Sequence, residues 1–432
     1  MNEIAISAGD TAWVLASSAL VLLMTPGLAF FYGGMVRVKS ALNMMMMSMI
    51  TIGVVSILWV LYGYSLAFGS GANSAFFGEL TLGGLERSVN ELTNNGGVYP
   101  IPLLAFAAFQ LMFAIITPAL ISGAIADRAK FLSWIIFVIA WVTIVYFPVA
   151  HMVFFFGEKV GDNLFGAGFL ASRGLEDFAG GTAVHINAGA AGLALSIVLG
   201  RRMGWQKSPM RPHSLPLVLL GAGLLWFGWF GFNAGSALGA NGIASLALIN
   251  TQVATGAALV GWTFMERLRD GHPTSLGAAS GAVAGLVAIT PACAFVSPVG
   301  AVAIGLIAGA LCALAVSLKF KFGFDDALDV VGVHLVGGIA GSLLIGFFGS
   351  SKENPLGIDG LFYGGGLTLL WRQTFGVLVV LLYSFIATLI IGYIIDRTIG
   401  FRVTPEQELG GVDLSEHAES AYELGGILKG GR

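Results

Sequence analysis

Two segments of the chain place an aspartate eight residues before a histidine, inside long apolar and glycine-rich runs. They read DFAGGTAVH at 177–185 and DALDVVGVH at 326–334. Histidine titrates near neutral pH, so a buried imidazole can accept a hydrogen bond or relay a proton. A carboxylate is favoured at the N-terminus of a helix. Each segment therefore predicts a helix that starts near its aspartate and carries a histidine inward.

The composition indicates the surroundings that these helices need. Of 432 residues, 56% are hydrophobic and only 10% are charged, and the mean hydropathy is +0.86. A helix crosses the hydrocarbon of a bilayer with about 20 apolar residues. The sequence predicts an all-α membrane protein with eleven transmembrane helices, at about residues 11–33, 42–69, 100–126, 131–156, 179–200, 214–235, 243–267, 274–292, 298–318, 329–349 and 372–399.

The basic residues predict how the chain is oriented. An odd number of spans puts the two termini on opposite sides of the membrane. With the N-terminus outside, sixteen of the 21 lysines and arginines lie in inner loops or in the C-terminal tail, which agrees with the cytoplasmic excess of these residues in membrane proteins. The remaining five lie outside: Arg87, Lys159, Arg173, Lys352 and Arg372.

Short internal matches indicate a duplication. VHINAGAAG (184–192) matches VHLVGGIAG (333–341), and ITPA occurs at both 116–119 and 289–292. Both matches are five spans apart, so the second copy enters the membrane in the opposite sense, as in many transporters. We expect an inverted five-plus-five repeat covering about 11–200 and 214–349, with the eleventh helix peripheral to it.

This repeat predicts where the two histidines lie. Eight helical residues carry the chain about 12 Å inward, so His185 and His334 reach mid-membrane from opposite faces and can adjoin. A single intramembrane histidine is typical of a hydrogen bond between helices. A symmetry-related pair favours a transport pathway instead.

Other features weaken several function classes. The sequence contains no glycine-rich phosphate loop, CxxC pair or HExxH motif, so we expect no enzyme activity, no cofactor and no metal. No basic stripe indicates nucleic-acid binding. Cys293 and Cys312 lie in or at the ends of apolar runs, where we expect no disulfide framework.

Phenylalanines are prominent in two of the runs. FAAFQLMFAIITPAL (106–120) places Phe109 and Phe113 four residues apart, on one helix face. Phe232 lies within a Gly-xxx-Gly spacing in WFGWFGFNAGS (226–236), which lets helices approach closely. From spacing alone we interpret these rings as packing, with a gate as the alternative.

Longer motifs carry a family resemblance along nearly the whole chain. The sequence resembles the ammonium transporter (Amt/Mep/Rh) family, on its Amt side, in TPGLAFFYGGMVRVKS (25–40), ILWVLYGYSLAFG (57–69), DFAGGTAVHINAG (177–189), FGFNAGS (230–236), ITPACAF (289–295) and DDALDVVGVH (325–334). The resemblance implies a homotrimer in a cell membrane, inner or plasma, with one narrow pore in each subunit.

The resemblance also implies roles for individual residues. The outer recruitment site for ammonium falls on Ser236 and Phe109, with Asp177 in support, and the stacked gate falls on Phe113 and Phe232. The pore falls on five positions: His185, His334, Leu28, Leu120 and Thr290. From the residues alone, Asp177 and Asp326 also fit the plainer role of helix caps, and Asp329 fits an ion pair with Lys319 or Lys321.

The outer site departs from the family at one position. Members commonly have a tryptophan after AHMV, whereas here the sequence reads AHMVFFFGEKVGDNLFGAGFLAS. Counting back from Asp177 assigns the position to Phe165, and counting forward from AHMV assigns it to Phe154. Phenylalanine attracts a cation more weakly than tryptophan does, within a range of roughly 0.5–2 kcal/mol for such contacts.

The implied mechanism is that ammonium loses its proton outside and crosses as ammonia past the gate and the histidines, with a separate proton relay as an open possibility. Methylammonium is a candidate second substrate. Two adjacent imidazoles disfavour double protonation, which discourages cations. The alternative function is a sensor that binds ammonium and signals with little transport.

The last part of the chain, 400–432, is polar and punctuated by glycine. It resembles the family's cytoplasmic tail, which couples subunits and works with PII-type signalling proteins. We therefore expect a transmembrane transport domain at 1–399 and a cytoplasmic regulatory tail at 400–432.

Overall fold

The computed structural model describes residues 5–70, 75–160 and 163–422, with the side chains of 163–165 outside the described part. Within these residues eleven apolar helices follow one another: α1 (Ala8–Met35), α2 (Val38–Phe68), α3 (Leu103–Ile125), α4 (Phe131–Phe154), α5 (Gly181–Leu199), α6 (Leu215–Gly235), α7 (Gly242–Asp270), α8 (Ser275–Ile289), α9 (Pro298–Phe322), α10 (Val331–Phe348) and α11 (Thr368–Thr398). Each corresponds to one predicted span, so the all-α fold with eleven membrane helices is confirmed.

The first five helices contact one another in the same pattern as the next five. Helix α1 contacts α2 and α3 just as α6 contacts α7 and α8. Likewise, α2 contacts α3 as α7 contacts α8, and α3 contacts α5 as α8 contacts α10. Matching contacts in the two halves are what a duplicated fold requires. Helix α11 lies outside this arrangement, against α4, α5 and α10.

Helices α1 and α6 pack closely because glycines face the partner helix. A Cβ atom at Gly221 would collide with the backbone of Phe31, and one at Gly228 would collide with Met24. Membrane helices associate through such small residues because lipid is as apolar as a leucine side chain. This seam lies where the equivalent helices of the two halves meet.

Helices α5 and α10 begin in the same way. The carboxylate of Asp177 accepts backbone N–H groups from Gly180 and Gly181, both at 2.7 Å, and from two further residues of the first turn. Asp326 accepts the N–H groups of Val330 at 3.1 Å and Val331 at 2.7 Å. Both predicted caps are therefore present, and they satisfy amide groups that the helix cannot satisfy itself. The turns that follow, Gly181–Ile186 and Val331–Leu335, are wider π-helical turns.

Helix α8 stops short and continues as buried irregular chain over residues 290–296. The Asn250 side chain donates to the carbonyls of Cys293 at 2.7 Å and Val296 at 2.8 Å. Helix α3, its counterpart, is followed by Arg128, whose guanidinium donates to the carbonyls of Ala124 and Ala126. Non-helical chain is tolerated at this depth only where protein groups satisfy it.

We name the face at which α1 begins the N-terminal face and the opposite one the basic face. On the basic face Arg202 bridges Asp127 at 3.1 Å and Asp325 at 2.9 Å, and Arg37 contacts Asp127 at 3.2 Å. Burial raises the pKa of Asp325, but the hydrogen bond from Arg202 and the nearby cations outweigh it and hold that pKa below its usual value. These pairs tie the ends of α1, α3 and α5 to the start of α10.

The described chain after α11, up to residue 422, includes two short helices that lie against the basic face, α12 (Pro405–Gly410) and α13 (Val412–His417). Glu408 accepts the backbone N–H of Met203 at 2.6 Å and the guanidinium of Arg402 at 2.7 Å. Asp413 accepts the N–H groups of Leu42 and Asn43 near the start of α2. Lys319 pairs with Asp329 at 2.6 Å elsewhere on this face, which confirms that predicted pair.

The N-terminal face carries four short strands that the sequence analysis did not predict. Strands β1 (Leu92–Asn94) and β2 (Val98–Pro102) form one antiparallel pair, and β3 (Glu158–Val160) and β4 (Asn163–Phe165) form another. The Asn95 side chain joins them to α4 by donating to the carbonyl of Phe154 at 2.9 Å. Three short 3-10 turns, Leu80–Leu85, Ala171–Arg173 and Leu361–Tyr363, lie in the loops.

The network on the basic face yields a stability prediction. Arg202→Met removes the cation between two buried carboxylates, and leaving a buried charge unpaired destabilises a fold by about 3–5 kcal/mol. We expect a clearly lower midpoint of thermal unfolding in detergent. Arg211→Met, at an exposed position of the same loop, is the control and should leave the midpoint almost unchanged. Equal midpoints for the two variants would contradict the assignment.

Candidate functional site

The two histidine rings lie side by side in the centre of the helix bundle. The Nδ1 atom of His185 on α5 is 3.3 Å from the Nδ1 atom of His334 on α10, and the ring planes differ by 20°. The side chains are 1% and 3% exposed. The segments 177–185 and 326–334 therefore meet as their spacing predicts.

This contact constrains the protons of the two rings. A neutral imidazole has one N–H donor and one bare nitrogen acceptor, so a bond between two Nδ1 atoms needs the proton on one of them only. The rings consequently hold opposite tautomers, and one Nε2 atom is a donor while the other is an acceptor. The Nε2 atom of His185 is buried and has no hydrogen-bond partner among the described residues. One donor and one acceptor are thus available along the histidine pair.

Trp229 on α6 holds the first ring in place. Its indole stacks on His185 with the ring centroids 5.3 Å apart and the planes 20° apart. The indole N–H donates to the Thr290 hydroxyl at 2.7 Å, and that hydroxyl donates to the Leu286 carbonyl at 2.7 Å. Thr290, assigned near the pore by resemblance, therefore reaches the histidines through Trp229.

Two phenylalanines continue the stack towards the N-terminal face. The rings of Phe113 on α3 and Phe232 on α6 have centroids 4.2 Å apart and are inclined by 37°. Phe232 lies 6.1 Å from His185 between centroids. Both phenylalanines are fully buried. The rings of Phe113, Phe232, His185 and His334 form one continuous column, with one ring from each of α3, α6, α5 and α10.

A cavity of about 580 Å³ lies at the other end of Phe113, on the N-terminal face. Its wall combines aromatic rings with a few polar groups, as small-molecule sites do. The described residues that line it include Asn95, Tyr99, Phe106, Gln110, Phe113, Phe154, Glu176, Asp177, Ser236, Phe295 and Asn354. Phe113 thus separates a site open to one face from the buried histidines.

Ser236 and Asp177 differ in what they can offer to a ligand. The Ser236 hydroxyl donates to the Phe232 carbonyl at 2.8 Å, which leaves its oxygen lone pairs free to accept. The carboxylate of Asp177 already accepts four backbone N–H groups and the hydroxyl of Thr182. Its contribution to the cavity is therefore a fixed negative charge and a fixed start of α5, rather than a free oxygen.

The aromatic residues assigned to recruitment lie at different places. Phe109 is fully buried, edge-on to Phe113 with 4.9 Å between centroids, and does not line the cavity that the described residues form. Phe106 and Phe154 do line it. Phe165 belongs to β4, but its side chain lies outside the described part of the structure, so its assignment stays a prediction.

Leu28 and Leu120 lie on the opposite side of the histidines, in the parts of α1 and α3 nearer the basic face. Both side chains are buried. The hydroxyl of Tyr32, one turn after Leu28, donates to the Leu120 carbonyl at 3.0 Å. Tyr32 therefore joins α1 to α3 beside Leu120, and the assignment of Leu28 and Leu120 to the pore stays a prediction.

Sequence reasoning missed Trp229 and Tyr32. Trp229 is three residues before Phe232 in WFGWFGF (226–232), and Tyr32 is four residues after Leu28. Each therefore shares a helix face with a residue that the resemblance assigned to the site. Extending the chosen faces by one turn would have found both.

Comparisons with known proteins agree with this arrangement. The sequence profile of the Ammonium Transporter Family matches residues 12–422. A Mycobacterium tuberculosis (strain ATCC 25618 / H37Rv) protein named ammonium transporter is 56% identical, over 96% of this chain and 90% of its own length. A Bacillus subtilis (strain 168) protein of the same name is 46% identical, over 96% of this chain and 98% of its own.

Solved structures give the same result. The crystal structure of Saccharomyces cerevisiae Mep2 superposes with a TM-score of 0.82 at 33% identity, covering 92% of this chain and 88% of Mep2. A structure described as a Sensor Amt Protein gives 0.84 at 29% identity, covering 94% and 98%. With the family profile spanning nearly the whole sequence and relatives at up to 56% identity, the chain belongs to the ammonium transporter family.

Proposed function

We propose that the protein moves ammonium across a cell membrane by binding it in the cavity on the N-terminal face and passing it inward as ammonia. The observation that carries this proposal is the buried histidine pair, with Nδ1 atoms 3.3 Å apart, below a column of aromatic rings and an open cavity. In the cavity, which is open on the N-terminal face, ammonium transfers its proton to water, and ammonia continues past the phenylalanine pair.

Desolvation favours the neutral species in the buried part of this path. A charged group at the centre of a bilayer faces a penalty of at least about 2.5–3.5 kcal/mol. The column consists of the rings of Phe113 and Phe232 and the two imidazoles, with Trp229 stacked on His185 and bonded to Thr290. Ammonia has three N–H donors and one lone pair, which match the one acceptor and one donor that opposite tautomers leave at the two Nε2 atoms.

Recruitment rests on weak contacts in the cavity. We propose that Ser236 accepts an N–H of ammonium, while the rings of Phe106 and Phe154 face the cation and Asp177 supplies negative potential. Contacts of a cation with aromatic rings contribute roughly 0.5–2 kcal/mol. Phe154 lines the cavity, which supports it as the counterpart of the family's outer tryptophan.

We propose further that the N-terminal face is outside and the basic face is cytoplasmic, since sixteen of 21 lysines and arginines then lie inside. Residues 1–399 would form the transport domain, and 400–432 a cytoplasmic regulatory tail. The described part of this tail lies on the basic face, where we propose that a PII-type partner binds. A homotrimer is the assembly we propose, and methylammonium a second substrate.

The histidine pair gives the first functional prediction. Replacing both residues, His185→Leu with His334→Leu, removes the donor and the acceptor to which ammonia would bond. Each hydrogen bond that ammonia then fails to make costs about 1–3 kcal/mol. We expect the ammonium-evoked current of proteoliposomes to fall at least about tenfold, because 1.4 kcal/mol corresponds to a factor of ten.

His272→Leu, at an exposed position, is the control and should retain the current. Unchanged current and selectivity in the double variant would overturn the role assigned to the histidines. A wild-type protein that binds ammonium but passes neither current nor ammonia, the latter read from the pH inside the vesicles, would instead favour the sensor alternative.

The phenylalanine pair gives a prediction about size selection. Phe232→Ala removes one of two rings in contact and widens the passage, and a hydrophobic site that discriminates by one methyl group does so by at least about tenfold. We expect the ratio of methylammonium flux to ammonium flux, measured in proteoliposome uptake assays, to rise by about tenfold or more. Phe227→Ala, an exposed phenylalanine on the same helix, should leave the ratio unchanged; an equal rise in both variants would contradict the gate.

A further inference from the structure

Glu176, the residue before the capping Asp177, is a second carboxyl group in the wall of the cavity. It is 7% exposed. One carboxylate oxygen, Oε1, accepts the backbone N–H of Ile358 at 2.7 Å. The other, Oε2, is buried and has no hydrogen-bond partner among the described residues.

The position of Glu176 is fixed from its backbone. The Gln373 side chain on α11 accepts the N–H of Glu176 at 2.9 Å and donates to its carbonyl at 2.8 Å. This double contact holds the residue at the start of the α5 segment. These contacts fix the backbone of Glu176 at the cavity wall, and the hydrogen bond of Oε1 with Ile358 holds its carboxylate.

The two neighbouring carboxyl groups are used in opposite ways. Asp177 accepts five hydrogen bonds from its own helix start, whereas Glu176 accepts one. A buried ionised carboxylate with an unsatisfied oxygen is costly. Such a group either keeps its proton or binds a cation that can donate to the free oxygen.

We propose that Glu176 is a cation-binding carboxylate of the cavity, whose Oε2 accepts an N–H from ammonium and makes recruitment depend on the proton occupancy of this one side chain. The inference rests on the proposed function, because it deepens the recruitment step of the same site. It adds a full negative charge with a free acceptor, which neither Ser236 nor Asp177 supplies.

The charge state of this carboxyl group is set by its surroundings. Burial raises the pKa of Glu176 to about 7, although the hydrogen bond from Ile358 and the charge of Arg372 on α11 act in the opposite direction. The other charged groups on the segments packed here include Asp177, saturated by its helix, and Asp359, which accepts the N–H of Ser351 at 2.7 Å. Arg173 and Lys352 on these segments are exposed, and Glu353 is half-buried. Glu176 is ionised above about pH 7 and neutral below it, so binding should weaken as the pH falls.

The test compares wild-type protein with Glu176→Gln, which keeps the shape and removes the charge. At pH 8 we expect the ammonium concentration for half-maximal current in proteoliposomes to rise about tenfold, as for losing a hydrogen bond to a charged group. At pH 5.5 the two proteins should agree, since wild-type Glu176 is then neutral. Glu86→Gln removes the same charge from an exposed position in a loop of the N-terminal face and should match wild type at both pH values.

Two outcomes would overturn the inference: equal half-maximal concentrations at pH 8, or a shift of the same size at both pH values, which would indicate a structural effect. Calorimetric titration of ammonium into detergent-solubilised protein at pH 8 keeps this test separate from the proposed function. Absence of both ammonium-evoked current and ammonia uptake, read as a rise of the pH inside wild-type proteoliposomes, would reject transport, whereas equal ammonium binding by wild type and Glu176→Gln would reject the role of Glu176.

Discussion

The structure depends on one constraint: a polar group buried at membrane depth must find its partner within the protein, because hydrocarbon offers none. This constraint accounts for the capping of α5 by Asp177 and of α10 by Asp326. It also accounts for the Asn250 amide that closes the irregular chain after α8. The two buried histidines likewise meet this constraint in part, through the hydrogen bond between their Nδ1 atoms.

The functional groups are positioned by interactions at several distances from the centre. Close to the histidines, Trp229 and Thr290 fix the first ring. At the basic face, Arg202 and its two aspartates connect the end of α5 with the start of α10. The depth at which His185 and His334 meet is thus set by caps and ion pairs far from the rings, and the chain after α11 adds further contacts to this same face.

Much of the architecture could be predicted from the sequence because apolar runs of membrane length are separated by charged and turn-forming residues. The meeting of the histidines followed from their equal spacing behind two aspartates in opposite halves. Trp229 shares a helix face with Phe232, but its stacking on His185 could not be predicted in this way, because the rotation of α6 about its axis is set by packing against α1. The choice between Phe154 and Phe165 was similarly open, since a loop of unusual length lies between them. No pattern could show that Asp177 is saturated while Glu176 keeps one oxygen free, because this depends on which backbone amides fold against each carboxylate.

The hydrogen bond between the two imidazoles has a consequence for symmetry. The duplicated halves present the same side chain at the same depth. The hydrogen bond between His185 and His334, however, holds a single hydrogen between two Nδ1 atoms. The halves are therefore chemically unlike, and two protonation isomers, related by interchange of the two histidines, satisfy this contact. Converting one isomer into the other moves the hydrogen between the two Nδ1 atoms and a second hydrogen from one Nε2 atom to the other. The conversion reverses which leaflet's half offers the lone pair, so the polarity of this part of the path is set by the positions of two hydrogens rather than by the fold.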